Sequence, residues 1–265
     1  MTRFHKTLAA GLVLAATAAL TACGGGDGND IATSLGLTKP VVRVMHAIPG
    51  GPNVDVSQNG TKNTSLLNEP YEFVSKYFSV DSGTQTFSFS ASGTSTTLAS
   101  ATFNTAAGHK YTVAAIPNTT GPDTAVIDDP FAKQLLSDKA RVRVLNASAN
   151  ANNVDVYVTA PSVDLSTVSP DMAGASFHNA VPASGQDSIY FNGGTYRLRI
   201  TTAGSKTVIF DSGSLKIDNN ADWLITTIPV DGIGAFAPNN IKVLLAKSDD
   251  DGQTAVELLN SPPAP

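Results

Sequence analysis

Short runs of alternating apolar and polar residues recur along the chain from residue 41 onward. Phe87 and Phe89, for example, alternate with Ser88 and Ser90, a spacing typical of a strand with one buried face. Gly, Asn, Asp or Pro punctuates most of the gaps, and no run shows a convincing helical period. The predicted strands span residues 41–47, 54–58, 74–80, 86–91, 97–103, 111–116 and 125–128, and then 142–147, 154–159, 188–191, 196–201, 207–210, 223–228 and 241–246. This pattern predicts an all-β sandwich or barrel.

The strand pattern occurs twice in the sequence. Val-Arg-Val at 42–44 and Asn-Val-Asp-Val at 53–56 return at 142–144 and 153–156, which is a fixed offset of 100 residues. Later matches have offsets of 111 and 112, so the second copy carries an 11-residue insertion within 160–178. The repeat predicts two β-domains in tandem, each of about 100 residues and large enough to hold one hydrophobic core.

The N-terminal segment indicates export to a bacterial envelope. Arg3 and Lys6 precede an uncharged apolar run over residues 8–20, which is shorter than the about 20 residues that a membrane-spanning helix needs. The tetrad Leu-Thr-Ala-Cys that ends at Cys23 resembles the lipobox of bacterial lipoproteins. This resemblance implies that Cys23 is lipidated and becomes the first residue of the mature chain. Ordinary secretion, with cleavage after residues 16–18, is the alternative.

The sequence therefore divides into five parts. They are a lipoprotein signal peptide (1–22), a lipidated cysteine with a Gly-rich flexible tether (23–40), β-sandwich domain 1 (41–138), β-sandwich domain 2 (139–248) and a mobile C-terminal tail (249–265) with a short helical turn around 256–259. Gly24 favours the outer membrane by the same lipobox resemblance, with the domains on its periplasmic face or at the cell surface. The short link ending at 137–139 lets the domains touch or hinge, and the sequence does not choose between these.

Composition and charge narrow the classes of partner. The formal net charge is −5, and loss of Arg3 and Lys6 with the signal peptide makes it −7. An acidic chain lacks the basic surface that nucleic acid or anionic lipid requires. Cys23 is the one cysteine, so lipidation leaves no thiol for a disulfide, a zinc site or a nucleophile. The histidines show no metal-ligand spacing, and neither a metal nor a cofactor is expected.

The repeated motif also carries a family resemblance. The Val-Arg-Val strand, the His-Ala or Asn-Ala step and the Val-Asp-Val strand resemble the opening block of the bacterial domain of unknown function family 4397. The Gly-Thr pairs at 83–84 and 194–195 and the Tyr-Thr-Val strand at 111–113 match as well. The resemblance covers residues 41–246 and implies tandem immunoglobulin-like antiparallel β-sandwiches in a secreted or envelope-anchored protein. The family carries no settled activity.

The repeated charged positions allow two interpretations. His46 and Asp55 could form a catalytic pair, but the second copy has an asparagine at the position of His46. This favours a histidine that ends the first strand and hydrogen-bonds in the following loop. Arg43 and Asp55 both lie opposite their flanking valines, so we expect a cross-strand pair between them. Arg143 and Asp155 are expected to form the same pair in the second copy.

The insertion at 160–178 is the candidate ligand loop, because binding residues concentrate on loops held by a rigid scaffold. Its candidate ligand contacts are Met172, Phe177 and His178. The alternative is that the insertion covers an open edge of the sandwich.

The sequence as a whole predicts a non-catalytic protein that binds or presents a protein or glycan ligand at the envelope, with a membrane contact through the N-terminal lipid. A structural spacer or envelope-maintenance protein without its own ligand is the first alternative. A hydrolase is the second alternative, and no enzymatic activity is expected.

Overall fold

The computed structural model describes residues 38–118, 120–130, 139–249 and 252–261, which form an all-β sandwich fold. The signal peptide, Cys23, most of the tether and residues 137–138 of the link lie outside the described residues. The first half contains β1 (Val41–His46), β2 (Val54–Gln58), β3 (Thr61–Lys62), β4 (Phe78–Ser79), β5 (Gly83–Ala91), β6 (Thr97–Thr105), β7 (Lys110–Ile116) and β8 (Asp123–Asp129). The second half contains β9 (Ala140–Asn146), β10 (Asn153–Thr159), β11 (Met172–Ser176), β12 (Ala180–Val181), β13 (Ile189–Phe191), β14 (Gly194–Thr202), β15 (Val208–Ile217), β16 (Asp222–Pro229), β17 (Ile241–Asp249) and β18 (Gly252–Leu258).

The strands form four sheets, and the same arrangement recurs in both halves. In the first half, an outer sheet has the order β3-β2-β5-β6 and an inner sheet the order β4-β1-β7-β8. In the second half, the outer sheet has the order β11-β10-β14-β15 and the inner sheet the order β12-β9-β16-β17-β18, with β13 also paired to β9. Most pairs are antiparallel, as the sequence predicts, but β1–β7 and β9–β16 are parallel. The repeated motif supplies the first strand of each parallel pair.

β1 is buried on both of its faces, because a different hydrophobic cluster covers each face. Val42 and Val44 pack into the core between the two sheets of the first half, where they meet Phe87 and Phe89. Met45 lies on the opposite face of the strand and belongs to a separate cluster shared with the second half. A strand that is covered on both sides reads as a nearly continuous apolar run.

The two inner sheets pack face to face, so the halves touch over a shared hydrophobic cluster. The cluster combines Met45, Ala47, Val74, Ala114, Ile116, Ala125 and Ile127 of the first half with Leu145, Ala147, Leu224, Ile228, Leu244 and Ala246 of the second. The sequence left contact and hinging open, and the structure shows contact.

The C-terminal segment is a strand rather than the predicted helical turn and mobile tail. β18 pairs with β17 along its whole length, from Val243–Leu258 to Asp249–Gly252. Beyond it, the Ser261 backbone N–H donates to the Asp211 carbonyl (2.7 Å) on β15 of the outer sheet. The apolar spacing around 256–259 was too short to distinguish a helix from a strand, and the open edge of β17 decided the outcome.

The 160–178 insertion packs against the outer sheet of the second half. Its β11 pairs with β10 and covers that sheet edge, which confirms the structural alternative. Arg199 donates to the Val163 carbonyl (2.8 Å), and Lys206 donates to the Val168 carbonyl (2.5 Å). Two backbone carbonyls of the insertion thus accept from cations of β14 and of the β14–β15 turn.

Candidate functional site

His46 is a structural residue at the end of β1. Its ring is fully buried, Nε2 donates to the Pro52 carbonyl (3.1 Å), and Nδ1 accepts a long bond from the Ile48 N–H (3.4 Å). Burial lowers the pKa of His46, and the bond to Pro52 opposes this shift only in part. The expectation that His46 ends the first strand and bonds in the following loop is therefore confirmed, and His46 and Asp55 do not pair.

Asn146 performs the same role in the second half. Its Oδ1 accepts from the Ser148 N–H (3.0 Å) and its Nδ2 donates to the Ala151 carbonyl (2.8 Å). One side chain thus bonds the backbone N–H two residues ahead and a carbonyl of the same loop, as His46 does. An amide and a neutral imidazole both provide one donor and one acceptor at this reach.

His46→Asn should therefore preserve the fold and cost about 1 kcal/mol of unfolding free energy at pH 8, mainly from lost volume. His46→Ala, which also loses both hydrogen bonds, should cost about 3 kcal/mol. Because the folded pKa lies below the ordinary 6.5, the unfolded chain binds the extra proton first, and wild-type stability falls as pH drops below 6.5. Urea unfolding at pH 8 and pH 5 should show this loss in the wild type and a smaller one in His46→Asn. An equal loss in both proteins would assign the pH dependence to other groups.

Asp55 clamps two loops onto the start of β2. Its carboxylate accepts from the Asn68 N–H (3.0 Å), the Gly93 N–H (3.1 Å) and the Ser92 hydroxyl (3.0 Å), and it pairs with Lys62 (2.8 Å). The bond from Lys62 is the largest of the effects that hold the pKa of Asp55 far below its ordinary value. These bonds fix the turn between β5 and β6, because Gly93 lies at the tip of that hairpin.

Asp155 makes a smaller version of the same clamp in the second half. It accepts from the backbone N–H groups of Gly174 (2.7 Å) and Gly204 (2.8 Å). Gly204 lies in the hairpin between β14 and β15, which corresponds to the β5–β6 hairpin of the first half. The repeated aspartate is thus a loop anchor in both halves.

The predicted cross-strand pairs between the repeated arginines and aspartates are wrong. β1 and β2 belong to different sheets, as do β9 and β10, so the side chains never lie opposite one another. Arg43 donates to the Thr112 hydroxyl (2.8 Å) and lies over the Tyr77 ring, while Arg143 donates to the Pro182 and Ala183 carbonyls (2.6 and 2.7 Å). Arg43 thus bonds to β7, its parallel neighbour in the inner sheet, and Arg143 bonds to the segment that follows β12.

A buried charge network joins the two inner sheets. Arg141 is fully buried and contacts Asp129 (2.8 Å), Asp187 (2.9 Å) and Asp222 (3.2 Å). Lys110 of the first half also pairs with Asp222 of the second. Burial opposes ionisation of Asp222, but the charges of Lys110 and Arg141 outweigh it and lower the pKa to about 2. The network is structural, since each charge faces an opposite one.

The predicted ligand loop does not form one exposed site. Met172 is completely buried in the core of the second half, so its side chain is inaccessible to a ligand, which corrects that assignment. Phe177 packs edge-on against His178, and His178 Nε2 lies 3.4 Å from an oxygen of Asp123 in the first half. These two residues lie beside the junction of the halves.

An apolar cleft of about 690 Å³ opens at one end of the junction. It is lined by residues 49–50, 117–118 and 149–150 and by part of 229–236. These four segments follow β1, β7, β9 and β16, the members of the two parallel pairs. Because parallel strands end at the same sheet edge, the two halves contribute equivalent loops to one cleft. Its volume lies within the range of ligand sites, about 300–1,000 Å³.

The segment 229–236 gives the cleft its largest apolar groups. Ile233 and Phe236 lie on a short 3₁₀ helix, Gly232–Phe236, and their side chains are 92% and 86% exposed. Asn150 Nδ2 secures the segment that follows by donating to the Ala237 and Asn240 carbonyls (2.8 and 3.0 Å). Large apolar side chains that are held out into solvent commonly mark an interaction site.

Bonds from both halves hold the base of this segment in place. The Tyr71 hydroxyl of the first half donates to the Pro229 carbonyl (2.9 Å), and Lys242 pairs with Asp231 (2.8 Å). Lys242 also pairs with Glu72 of the first half. Hydrogen bonds and ion pairs therefore hold the residues that precede the exposed 3₁₀ helix.

Sequence reasoning missed this cleft, although a signal was present. Six residues separate the paired Ile116 and Asp123 in the β7–β8 hairpin, whereas thirteen separate the paired Ile228 and Lys242 in the β16–β17 hairpin. The longer connection carries the exposed 3₁₀ helix. A comparison of hairpin lengths between the two copies would have identified it beside the insertion at 160–178.

The described ranges hold neither a metal-binding cluster nor a membrane-spanning helix. No group of three or more His, Cys, Asp or Glu side chains there is arranged to hold a metal ion. Those residues also include no helix with the length and apolarity needed to cross a membrane.

Residues 40–157 match the model of one protein family, described as Domain of unknown function (DUF4397). The match begins just before β1, covers the first half and ends within β10 of the second. No curated protein matches the sequence. The similarity therefore concerns the domain over these residues and brings no activity with it.

Proposed function

We propose that this chain is an envelope-anchored lipoprotein that binds a ligand without catalysis, through the apolar cleft between its two halves. The observation that carries the proposal is the pair of exposed side chains, Ile233 and Phe236, beside a cleft large enough for a ligand. A spacer without a ligand has no need to keep such groups in water. Asp55 and Asp155 hold loops outside the cleft lining, and His46 and Asn146 hold the two loops that contribute residues 49–50 and 149–150 to it.

Both halves are proposed to be copies of the same family domain, with an immunoglobulin-like arrangement of strands. The matched residues 40–157 include the second appearance of the Val-Arg-Val and Val-Asp-Val motif at 142–156. The recurrence of the sheet order supports this proposal. In this arrangement the cleft requires both copies, because each contributes two of its four lining segments.

Lipidation of Cys23 is the proposed means of anchoring. Bacteria that process the chain should incorporate an alkyne-tagged fatty acid into the wild type, and Cys23→Ser should lose the label. Several acyl chains give stable attachment because each buried methylene contributes about 0.8 kcal/mol. A wild type without label would favour ordinary secretion, and label that persists in Cys23→Ser would place the fatty acid on another residue.

Nile red, a neutral apolar dye, provides the test of the cleft. The full chain carrying Cys23→Ser should enhance dye fluorescence, and the further changes Ile233→Ser and Phe236→Ser should each weaken dye binding about tenfold. Both side chains are largely exposed, so the fold should tolerate these changes. Val208→Ser is the matched control, because Val208 is 42% exposed on β15 and lies outside the cleft lining. Equal dye binding by all four proteins would refute binding at the cleft.

A spacer role is the second candidate, and the continuous contact between the inner sheets favours it. Charge pairs and the shared apolar cluster join the halves, as a stiff spacer would require. The dye experiment separates the two candidates, because a spacer predicts no dependence on Phe236.

A further inference from the structure

The lining of the cleft selects a class of ligand. The segments 48–53, 117–123, 148–152 and 229–240 contain no lysine or arginine, so the loops at this end offer no cation to an acidic ligand. The lining itself consists of Pro, Gly, Ala, Ile, Phe and Asn residues. The bottom of the cleft therefore suits uncharged apolar groups.

Few side-chain hydrogen bonds are available in the lining. Asn118 and Asn150 supply its side-chain amides. Asn150 already donates twice to the backbone of the neighbouring segment, and Asn118 donates to Asp123 (3.2 Å). A sugar ring carries many hydroxyl groups that need partners when they leave water. The cleft fits an apolar peptide better than a glycan.

The rim next to the lining is acidic. Asp123 ends the segment after β7, and Asp231 immediately precedes the exposed 3₁₀ helix, with side chains 46% and 68% exposed. Lys242, which pairs with Asp231, is buried among Glu72, Asp231 and Glu257 and presents little charge to solvent. A partner with basic groups beside an apolar centre would complement this rim.

The cleft and the N-terminal tether lie at opposite ends of β1. The described residues begin at Thr38, ahead of β1, whereas the cleft lies past the other end of that strand. A six-residue strand spans about 20 Å. The length of β1 therefore separates the cleft from the point where the tether enters the fold.

We propose that the cleft binds a segment of another protein that has two or three large apolar side chains flanked by Lys or Arg. Phe236 and Ile233 pack against the apolar side chains, and Asp123 and Asp231 face the basic flanks. This assignment rests on the proposed binding function and specifies its ligand. It assigns the role of binding contacts to residues of the β7–β8 and β16–β17 connections.

A random dodecapeptide library displayed on phage tests this proposal. It is panned in parallel on the full chain with Cys23→Ser and on the same chain with Phe236→Ser, and Val208→Ser serves as control. Peptides enriched on the first and third proteins, but not on the second, should have an apolar centre and a net positive charge. Synthetic copies should bind Phe236→Ser at least about tenfold more weakly and should lose affinity as ionic strength rises.

Other outcomes would overturn the proposal in distinguishable ways. Enrichment of acidic peptides, or equal enrichment on Phe236→Ser, contradicts the assigned ligand. If Nile red binding depends on Phe236 but no peptide is enriched, the proposed binding function stands and the peptide ligand is ruled out. Self-association of the full chain that Phe236→Ser abolishes would assign the cleft to a second copy. Absence of both dye and peptide binding rejects the binding function together with the inference.

Discussion

Replacement of Asp222 by asparagine is expected to lower the free energy of unfolding by about 3–5 kcal/mol. The carboxylate lies between Lys110 of the first half and Arg141 of the second, and its side chain is 14% exposed. An amide of nearly the same shape keeps the packing but removes the negative charge. Two cations then face each other at the junction with less compensation, and Arg141 is fully buried there.

Urea unfolding of the full chain and of Asp222→Asn measures this effect directly. Asp218→Asn is the matched control, because the Lys216–Asp218 pair is exposed on both sides, at 76% and 67%, and should contribute little. If both variants lost the same small amount of stability, the buried network would not be a determinant of the fold.

The Asp222 contribution should also depend on pH. Its folded pKa of about 2 lies below the unfolded value of about 4, so the stabilisation is present above pH 4 and disappears as pH falls toward 2. Wild type and Asp222→Asn should therefore converge in stability between about pH 4 and pH 2. A constant difference over that interval would mean that the loss arises from packing rather than charge.

Asp55→Asn should cost about 3 kcal/mol, and Asp155→Asn about 2 kcal/mol, although both occupy the same place in the repeat. Asp55 accepts from two backbone N–H groups, a hydroxyl and Lys62, whereas Asp155 accepts from two backbone N–H groups. The asparagine amide keeps one oxygen as an acceptor, but its NH₂ group replaces the other oxygen. One backbone N–H then faces a donor instead of an acceptor. Unfolding in urea gives the two costs side by side.

The ranking of these two variants is the informative result. Equal losses would mean that the Ser92 hydroxyl and Lys62 together contribute nothing measurable. A larger loss for Asp155→Asn would show that the hairpin between β14 and β15 depends on its anchor more than the count of donors indicates. Hydrogen exchange at Gly93 and Gly204 would report whether each hairpin has opened.

Local patterns in the sequence predicted the positions of the strands well, but they predicted poorly which strands pair with one another. The alternation around Phe87 and Phe89 predicted β5, and both phenylalanines lie in the core of the first half. Periodicity reports which face of a strand is buried, but it does not report which strand lies beside it. The arginine–aspartate pairs failed for this reason, since they assumed that consecutive strands of the motif share a sheet.

The site was harder to predict than the fold, because no single segment contains it. Four connections, separated by up to about 180 residues, meet only after the parallel pairs have placed their ends together. Met172 drew attention as a large apolar residue in an insertion, yet such a residue also fills cores, and here it does. Ile233 and Phe236 lie in an ordinary Gly- and Pro-rich stretch, where a long hairpin was the available signal.

The parallel pairs also set the order in which the chain can fold. The β1–β7 pair joins Val41 to Lys110, and the β9–β16 pair joins Arg141 to Asp222. Neither inner sheet can therefore form completely until almost all of its half has been synthesised. Contacts this distant in sequence slow folding, because the loop-closure entropy is lost before the contact energy is gained. Until then β1 and β9 each lack the partner on one edge, although β4, β12 and β13 can pair with the other edge. Such open edges on strands with apolar residues on both faces are prone to pair with the wrong chain. A chaperone that shields β1 and β9 during folding should therefore raise the yield of native protein more than one that acts on the other strands.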